Sequence, residues 1–322
     1  HLSMTKAVLA RLLMWTPVAV VVFLLLGIAV VWFFTGWRAG DLAAKAVGNA
    51  ELGNLRVARL QVESARRLRG QDLRVLRAAA MIESKAGNPA APAAWEALPT
   101  GTKLQTDELR EKAIAMTRFG TDEQYEQALE ALNEVGLVAD ASVRRAERRN
   151  ARGDLGRAID YARNALAEDD TPEHRLFLAR LLAARHGPLL SDPQRTTDAD
   201  TAAMDEIATL VDSLLDTPLR REALALGVRA PLLPPDKRVT WARAAFDDLQ
   251  PSNPALLPAA YALRDFGGVT VEELRKDLTI PYVSAPLAAQ AAYANFLTAS
   301  GVPRAALDVV SAKEAAQDAD AF

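Results

Sequence analysis

The chain contains no cysteine. Disulfides, thiolate metal sites, iron–sulfur clusters and a cysteine nucleophile are excluded together, while the redox compartment stays open. Histidine is almost as scarce, at three residues in 322. His174 and His186 stand twelve apart beside Arg175 and Arg185, without a carboxylate or thiol at metal-ligand spacing, and read as surface or groove residues. The acidic stretch Asp192, Asp198, Asp200, Asp205 and Glu206 lacks the fixed glycine and terminal Glu of a hard-ion loop, and reads as helix capping and solvation. Apart from Gly267-Gly268, glycines occur as singles, and no phosphate loop, dinucleotide fingerprint or nucleophile elbow can be assembled. Aromatics are only 6%, and no long stretch alternates apolar and polar residues with the period of two that strands need. A net charge of −3 with 25% charged residues gives no bias towards nucleic acid. The expectation is a chain without metal or cofactor that is not an enzyme, since catalysis needs a preorganised constellation.

What the sequence has is Ala, Leu and Arg in quantity, and one long apolar run. From Leu12 to Phe34 there are 23 residues without a charge. At about 1.5 Å per residue that is roughly 34 Å of helix, enough for a hydrocarbon core of about 30 Å. Trp15 at one end and Trp32 and Trp37 at the other stand where amphipathic rings prefer the headgroup layer. A signal peptide has a shorter apolar region ending in small residues, whereas this run ends Trp32-Phe33-Phe34-Thr35-Gly36-Trp37. Residues 12–37 are therefore expected to form a retained transmembrane helix after a short tail, 1–11, in which His1-Leu2-Ser3 before Met4 reads as a tag remnant. Lys6 and Arg11 before the span nearly balance Arg38 and Lys45 after it. A short basic tail favours the cytoplasm, which makes the chain a single-pass inner-membrane protein with its helical domain outside the cytoplasm.

Beyond Asp41 a ladder of glycines begins. Gly53, Gly87, Gly120, Gly153 and Gly187 are separated by 34, 33, 33 and 34 residues, and Gly267 and Gly301 by 34. Eleven residues before a rung stand Leu42, Leu76, Leu109, Leu176 and Leu256; seven before stand Ala46, Ala80, Ala113, Ala146, Ala260 and Ala294. Leu and Ala four apart share a helix face, the Leu to fill a core and the Ala to admit a neighbouring helix. Ala58, Ala158 and Ala306 follow five residues after their glycines. The pattern has departures: Ser142 stands for the bulky residue, Arg180 for Ala, and Gln290 for Leu.

With a bulky residue, a small one and a glycine turn repeating at 33–34 residues, the chain resembles the tetratricopeptide-repeat family over about residues 41–314. The resemblance implies an all-α, TPR-like α-solenoid of seven or eight helical hairpins after the one transmembrane helix. Pro/Asp-rich stretches near 188–198 and 230–236 read as insertions, and 315–322 as a cut end or the start of a further repeat.

The resemblance also implies a groove lined by the first helices. Transferred by spacing from each glycine, its positions are Arg74, Arg77, Met81, Ser84 and Lys85; Asp107, Arg110, Ile114, Thr117 and Arg118; Asp140, Val143, Glu147 and Asn150; and His174, Phe177, Leu181 and Arg185. The first two sets are basic and the fourth largely apolar, which suits a partner segment that is acidic or acidic-apolar. The family's chaperone-tail clamp is not expected, because Val143 and Glu147 stand where it needs other residues. The expected function is a membrane-anchored scaffold or adaptor for other proteins in a bacterial-type envelope assembly, contacting lipid through one helix. The alternatives are a cytoplasm-facing regulatory or quality-control adaptor, or an accessory subunit of a membrane enzyme complex.

Overall fold

The computed structural model describes residues 2–186, 197–229, 234–250 and 253–310, with side chains from Val20 onward. The expected insertions at 188–196 and 230–233, the end at 315–322, and the side chains of the tail and of Trp15 lie outside the described residues. Among the described residues all regular structure is helical, in sixteen helices. The chain divides into two compact units, 1–144 and 145–322.

The first unit holds α1 (Leu2–Glu51), α2 (Leu55–Arg69), α3 (Leu73–Lys85), α4 (Ala91–Glu96), α5 (Thr106–Phe119) and α6 (Asp122–Glu134); α7 (Val138–Ala151) contains the boundary. Sequence analysis separates a span ending at residue 37 from a domain starting at Asp41. The structure corrects this, because α1 is one helix of 50 residues that passes from the apolar run into the first hairpin. Gly36 and Gly40, which look like a boundary, are buried packing sites instead. Glycine inside a helix costs about 1 kcal/mol relative to alanine. Here the bare backbone is covered, since the Arg69 guanidinium lies 3.4 Å from where a Gly36 Cβ would stand.

Below that point α1 presents Ala39, Ala43, Ala46 and Ala50, all buried, at helical spacing on one face. Small side chains let α2 and α3 pack close, bringing Ala58, Val62 and Ala65 and then Val75, Ala78, Ala79 and Ile82 against the seam. A second core joins α3–α6 around Met116, Tyr125, Leu129 and Trp95. The buried Trp95 indole donates to Ser84 Oγ at 2.8 Å, and Ser84 Oγ donates in turn to Ala80 O, so neither polar group is left unsatisfied.

The second unit continues with α8 (Leu155–Glu168), α9 (Pro172–His186), α10 (Asp198–Leu214), α11 (Arg220–Gly227), α12 (Pro235–Asp248), α13 (Leu256–Phe266), α14 (Val271–Val283), α15 (Leu287–Ala299) and α16 (Pro303–Val309). The ends of both expected insertions prove to be helix starts. Thr197 caps α10 reciprocally with Asp200, and Pro235 occupies the first turn of α12, where a missing N–H costs nothing. The core includes Leu178, Ile207, Trp241, Tyr293 and Phe296.

The alanines of the ladder are buried throughout: Ala46, Ala80, Ala113, Ala146, Ala260 and Ala294 on first helices, and Ala58, Ala158 and Ala306 on second ones. Gly53, Gly87, Gly153 and Gly301 take the left-handed conformation that ends a helix at low cost. Gly120 is extended instead, and after Gly267 it is Gly268 that turns left-handed. Arg180 is exposed and the adjacent Ala179 is fully buried, so that rung has slipped by one residue. Gln290 earns its place by donating from Nε2 to Val283 O and Ala285 O, two carbonyls at the end of the preceding helix.

Within the first unit α1 packs on α2, α3 on α4 and α5 on α6; in the second, α9 packs on α10, α11 on α12 and α15 on α16. First helices also touch the next first helix, as α1 with α3, α3 with α5, α9 with α11 and α13 with α15.

Candidate protein-binding surface

The basic positions assigned to a groove lie on successive first helices of the first unit, where most are tied to the neighbouring helix. Asp72 N-caps α3 by accepting from the Arg74 backbone N–H, and also accepts from Arg74 Nη2 at 2.8 Å. The same guanidinium reaches α1, donating to Gly36 O at 3.0 Å. Its hydrogen bond to Asp72 holds the carboxyl below its ordinary range and raises Arg74.

Arg77 on α3 pairs with Glu108 on α5 at 3.4 Å and donates to Lys103 O at 2.6 Å. Lys85 pairs with Glu111 at 3.5 Å. Arg110 on α5 passes the pattern on, with its Nε 3.0 Å from Asp140 on α7 and its Nη1 3.6 Å from Asp107. The hydrogen bond to Asp140 raises the Arg110 pKa. The result is a ladder of side-chain links along α3, α5 and the start of α7, each half-exposed pair worth at most about 1 kcal/mol. Arg118 is exposed and has no carboxylate partner among the described residues.

Several assigned positions turn inward. Met81 and Ser84 are buried in the α3–α5 core, Val143 is buried, and Thr117 is turned on its own helix, donating to Ala113 O at 2.7 Å. Leu181, expected to line an apolar groove, is a core residue at 3% exposure. Phe177 is half-buried against the same core, and Arg185 is exposed. Transfer by spacing assumes one helix phase for every repeat. The slipped rung at Ala179 shows that α9 departs from it.

The histidines are not the plain surface residues of the sequence reading. His174 Nδ1 lies 2.6 Å from Asp169 O at the start of α9. His186 Nδ1 lies 2.6 Å from Asp200 Oδ1, with both side chains largely enclosed. Asp200 also accepts from Thr197 N and Thr197 Oγ1. The hydrogen bonds from His186 and then Thr197 pull its carboxyl down to about 2. Capping was the right reading for Asp200, and its histidine partner could be seen only once α9 and α10 were packed. Among the described residues no three of His, Asp and Glu gather as metal ligands.

A second surface is the apolar face of α1 expected from the sequence to meet lipid. Large apolar side chains of α1 from Val20 to Trp37 are exposed, and α2 ends against them. Arg69 stacks its guanidinium on the Trp32 ring, 3.9 Å from the centroid, and donates from Nη2 to Trp32 O at 2.6 Å. The signal available was a tryptophan closing an apolar run, followed by a helix ending Arg66-Arg67-Leu68-Arg69. No protein-family model and no curated protein matches the chain, so the reading of its surfaces rests on their own geometry.

Proposed function

We propose that this chain is a membrane-anchored helical-repeat adaptor, with tetratricopeptide-like hairpins that contact other proteins in a bacterial-type envelope assembly. The observation that carries the reading is α1 itself. Its apolar half is exposed while its next turns are the first helix of the first hairpin, so lipid anchor and repeat share one rigid element. A 23-residue uncharged run whose described large apolar side chains, from Val20 on, stay mostly exposed suits a bilayer better than water.

The α3–α5 face takes acidic or acidic-apolar segments of partner proteins. Support comes from the contact between successive first helices and from Arg118, a cation without an internal carboxylate. Arg77, Lys85 and Arg110 already hold carboxylates, so an incoming acidic segment exchanges with Glu108, Glu111 or Asp140 and does not fill an empty basic slot. In the second unit Phe177 and Arg185 give an apolar and a basic contact on α9.

Purification of the tagged full chain in mild detergent, with mass spectrometry of co-eluting proteins, tests the proposal. Defined partners are expected to co-elute and to be lost with Arg118→Glu, whose exposed side chain can be reversed without breaking an internal pair. A chain that runs alone, or partners unaffected by Arg118→Glu and Arg185→Glu, would overturn it.

A further inference from the structure

Along α1, beside the last turn of α2, runs an apolar groove of about 850 Å³ lined by Val20, Gly27, Val31 and Trp32 and closed by Leu68 and Arg69. Gly27 lies in its floor and faces open space, since a Cβ there would meet nothing within 4 Å. From Val20 to Trp32 the groove spans about 18 Å of helix, close to half of a hydrocarbon core of about 30 Å. One end is apolar and the other is cationic.

That cationic end is built. Arg69 is fixed on Trp32 by stacking and by its bond to Trp32 O, which uses only one of its five N–H donors. Arg66, three residues earlier and so on the neighbouring face of α2, is exposed and without a carboxylate partner among the described residues, whereas Arg67, two residues from Arg69, points to another side of the helix. Glu63, one turn earlier, is exposed and pairs with neither. Leu68 between them is exposed too, next to the apolar wall of α1. An apolar groove about one leaflet long, with the Arg69 guanidinium at its interfacial end keeping free N–H donors and Arg66 near it, matches an acyl chain with an anionic headgroup.

We propose that this groove holds an anionic phospholipid, its phosphate on Arg69 and Arg66 and one acyl chain along α1 past Gly27. The inference rests on the anchor reading above and deepens it. Lipid bound this way clamps the end of α2 to the membrane surface, so the first hairpin stands at a fixed height on its anchor. Charge reversal in the headgroup layer weakens such binding, each basic residue near the surface adding a modest attraction.

The test uses the full chain. Retention in vesicles through an alkaline carbonate wash is measured first. Native mass spectrometry in neutral detergent then gives apparent affinities for phosphatidylglycerol and phosphatidylcholine. The expected result is a retained chain carrying one phosphatidylglycerol, bound about tenfold tighter than phosphatidylcholine. Arg66→Glu with Arg69→Glu abolishes the preference, Gly27→Leu weakens both lipids by occupying the groove floor, and Arg304→Glu on α16 changes neither. Release by carbonate would sink the anchor reading and this inference together. A retained chain that binds the two lipids equally, or keeps its preference in the double reversal, would overturn this inference alone.

Discussion

Arg74 donates to the carbonyl oxygen of Gly36 across a helix face kept bare by Gly40, so α3 holds α1 at the point where the apolar run gives way to the first hairpin. A Cβ on Gly40 would collide with the Arg74 guanidinium, which is the end of a flexible side chain and can swing aside. Gly40→Ala is therefore expected to be close to neutral, the loss of one hydrogen bond worth about 1 kcal/mol offset by about 1 kcal/mol of helix propensity gained. Thermal melts of the full chain check it, and a cost above about 3 kcal/mol would show that the site is rigid.

Gly227 is the opposite case. A Cβ there would stand 2.7 Å from the Trp241 ring, and that ring is buried and pinned by its indole N–H on Asp212 at 3.0 Å. Neither neighbour can yield cheaply. Gly227→Ala is expected to cost about 2–3 kcal/mol by overpacking, measurable by urea unfolding, with Trp241→Phe in the same background relieving part of the clash because the atoms met, Cε3 and Cζ3, belong to the benzo ring that phenylalanine lacks.

At high pH the α14–α15 contact is the weak point. Burial pushes the Tyr282 hydroxyl up to about 12 and raises Tyr293 as well, while both hydroxyls are hydrogen-bonded, to Asn253 O and Thr279. The unfolded chain ionises near 10 and the folded one only higher, so their stabilisation is complete below pH 10 and falls as pH rises from there towards 12. Tyr282→Phe is expected to flatten this alkaline limb, read from melting temperatures between pH 8 and 12.

At low pH the sign reverses. Asp200 titrates at about 2 in the folded chain against 3.8 ordinarily, because His186 and Thr197 bond its carboxylate. Its contribution is present above pH 4 and is lost as pH falls through 2. Asp200→Asn is expected to lower stability at pH 6 and to blunt the fall between pH 4 and 2. Unchanged acid melts would show that the His186–Asp200 contact is not what holds α9 to α10.

The helical class was legible because it is local. Nine ladder alanines, six standing seven residues before a glycine and three standing five after one, are all buried. The continuity of α1 was not legible, because Gly36 and Gly40 look like a joint until Arg69 and Arg74 are seen lying over them. Of the positions carried over by spacing, Arg118 and Arg185 are exposed, whereas Arg77 and Arg110 pair with carboxylates about thirty residues away, a pairing that depends on how one first helix registers on the next. Leu181 was assigned to the surface by a phase that α9 does not keep.

The central claim is that one uninterrupted helix carries the chain from lipid into its first hairpin, and the absence of native cysteine makes it directly measurable. Single cysteines placed in turn from Phe23 to Asn49 are labelled with a water-soluble maleimide in intact membranes. The account predicts no labelling from 23 to about 31, then labelling that returns beyond Trp37 with a helical period, with Ala39, Ala43 and Ala46 protected and Ala44 and Lys45 reactive. Uniform reactivity beyond residue 31, or loss of the N-terminal residues by cleavage in the mature chain, would contradict it.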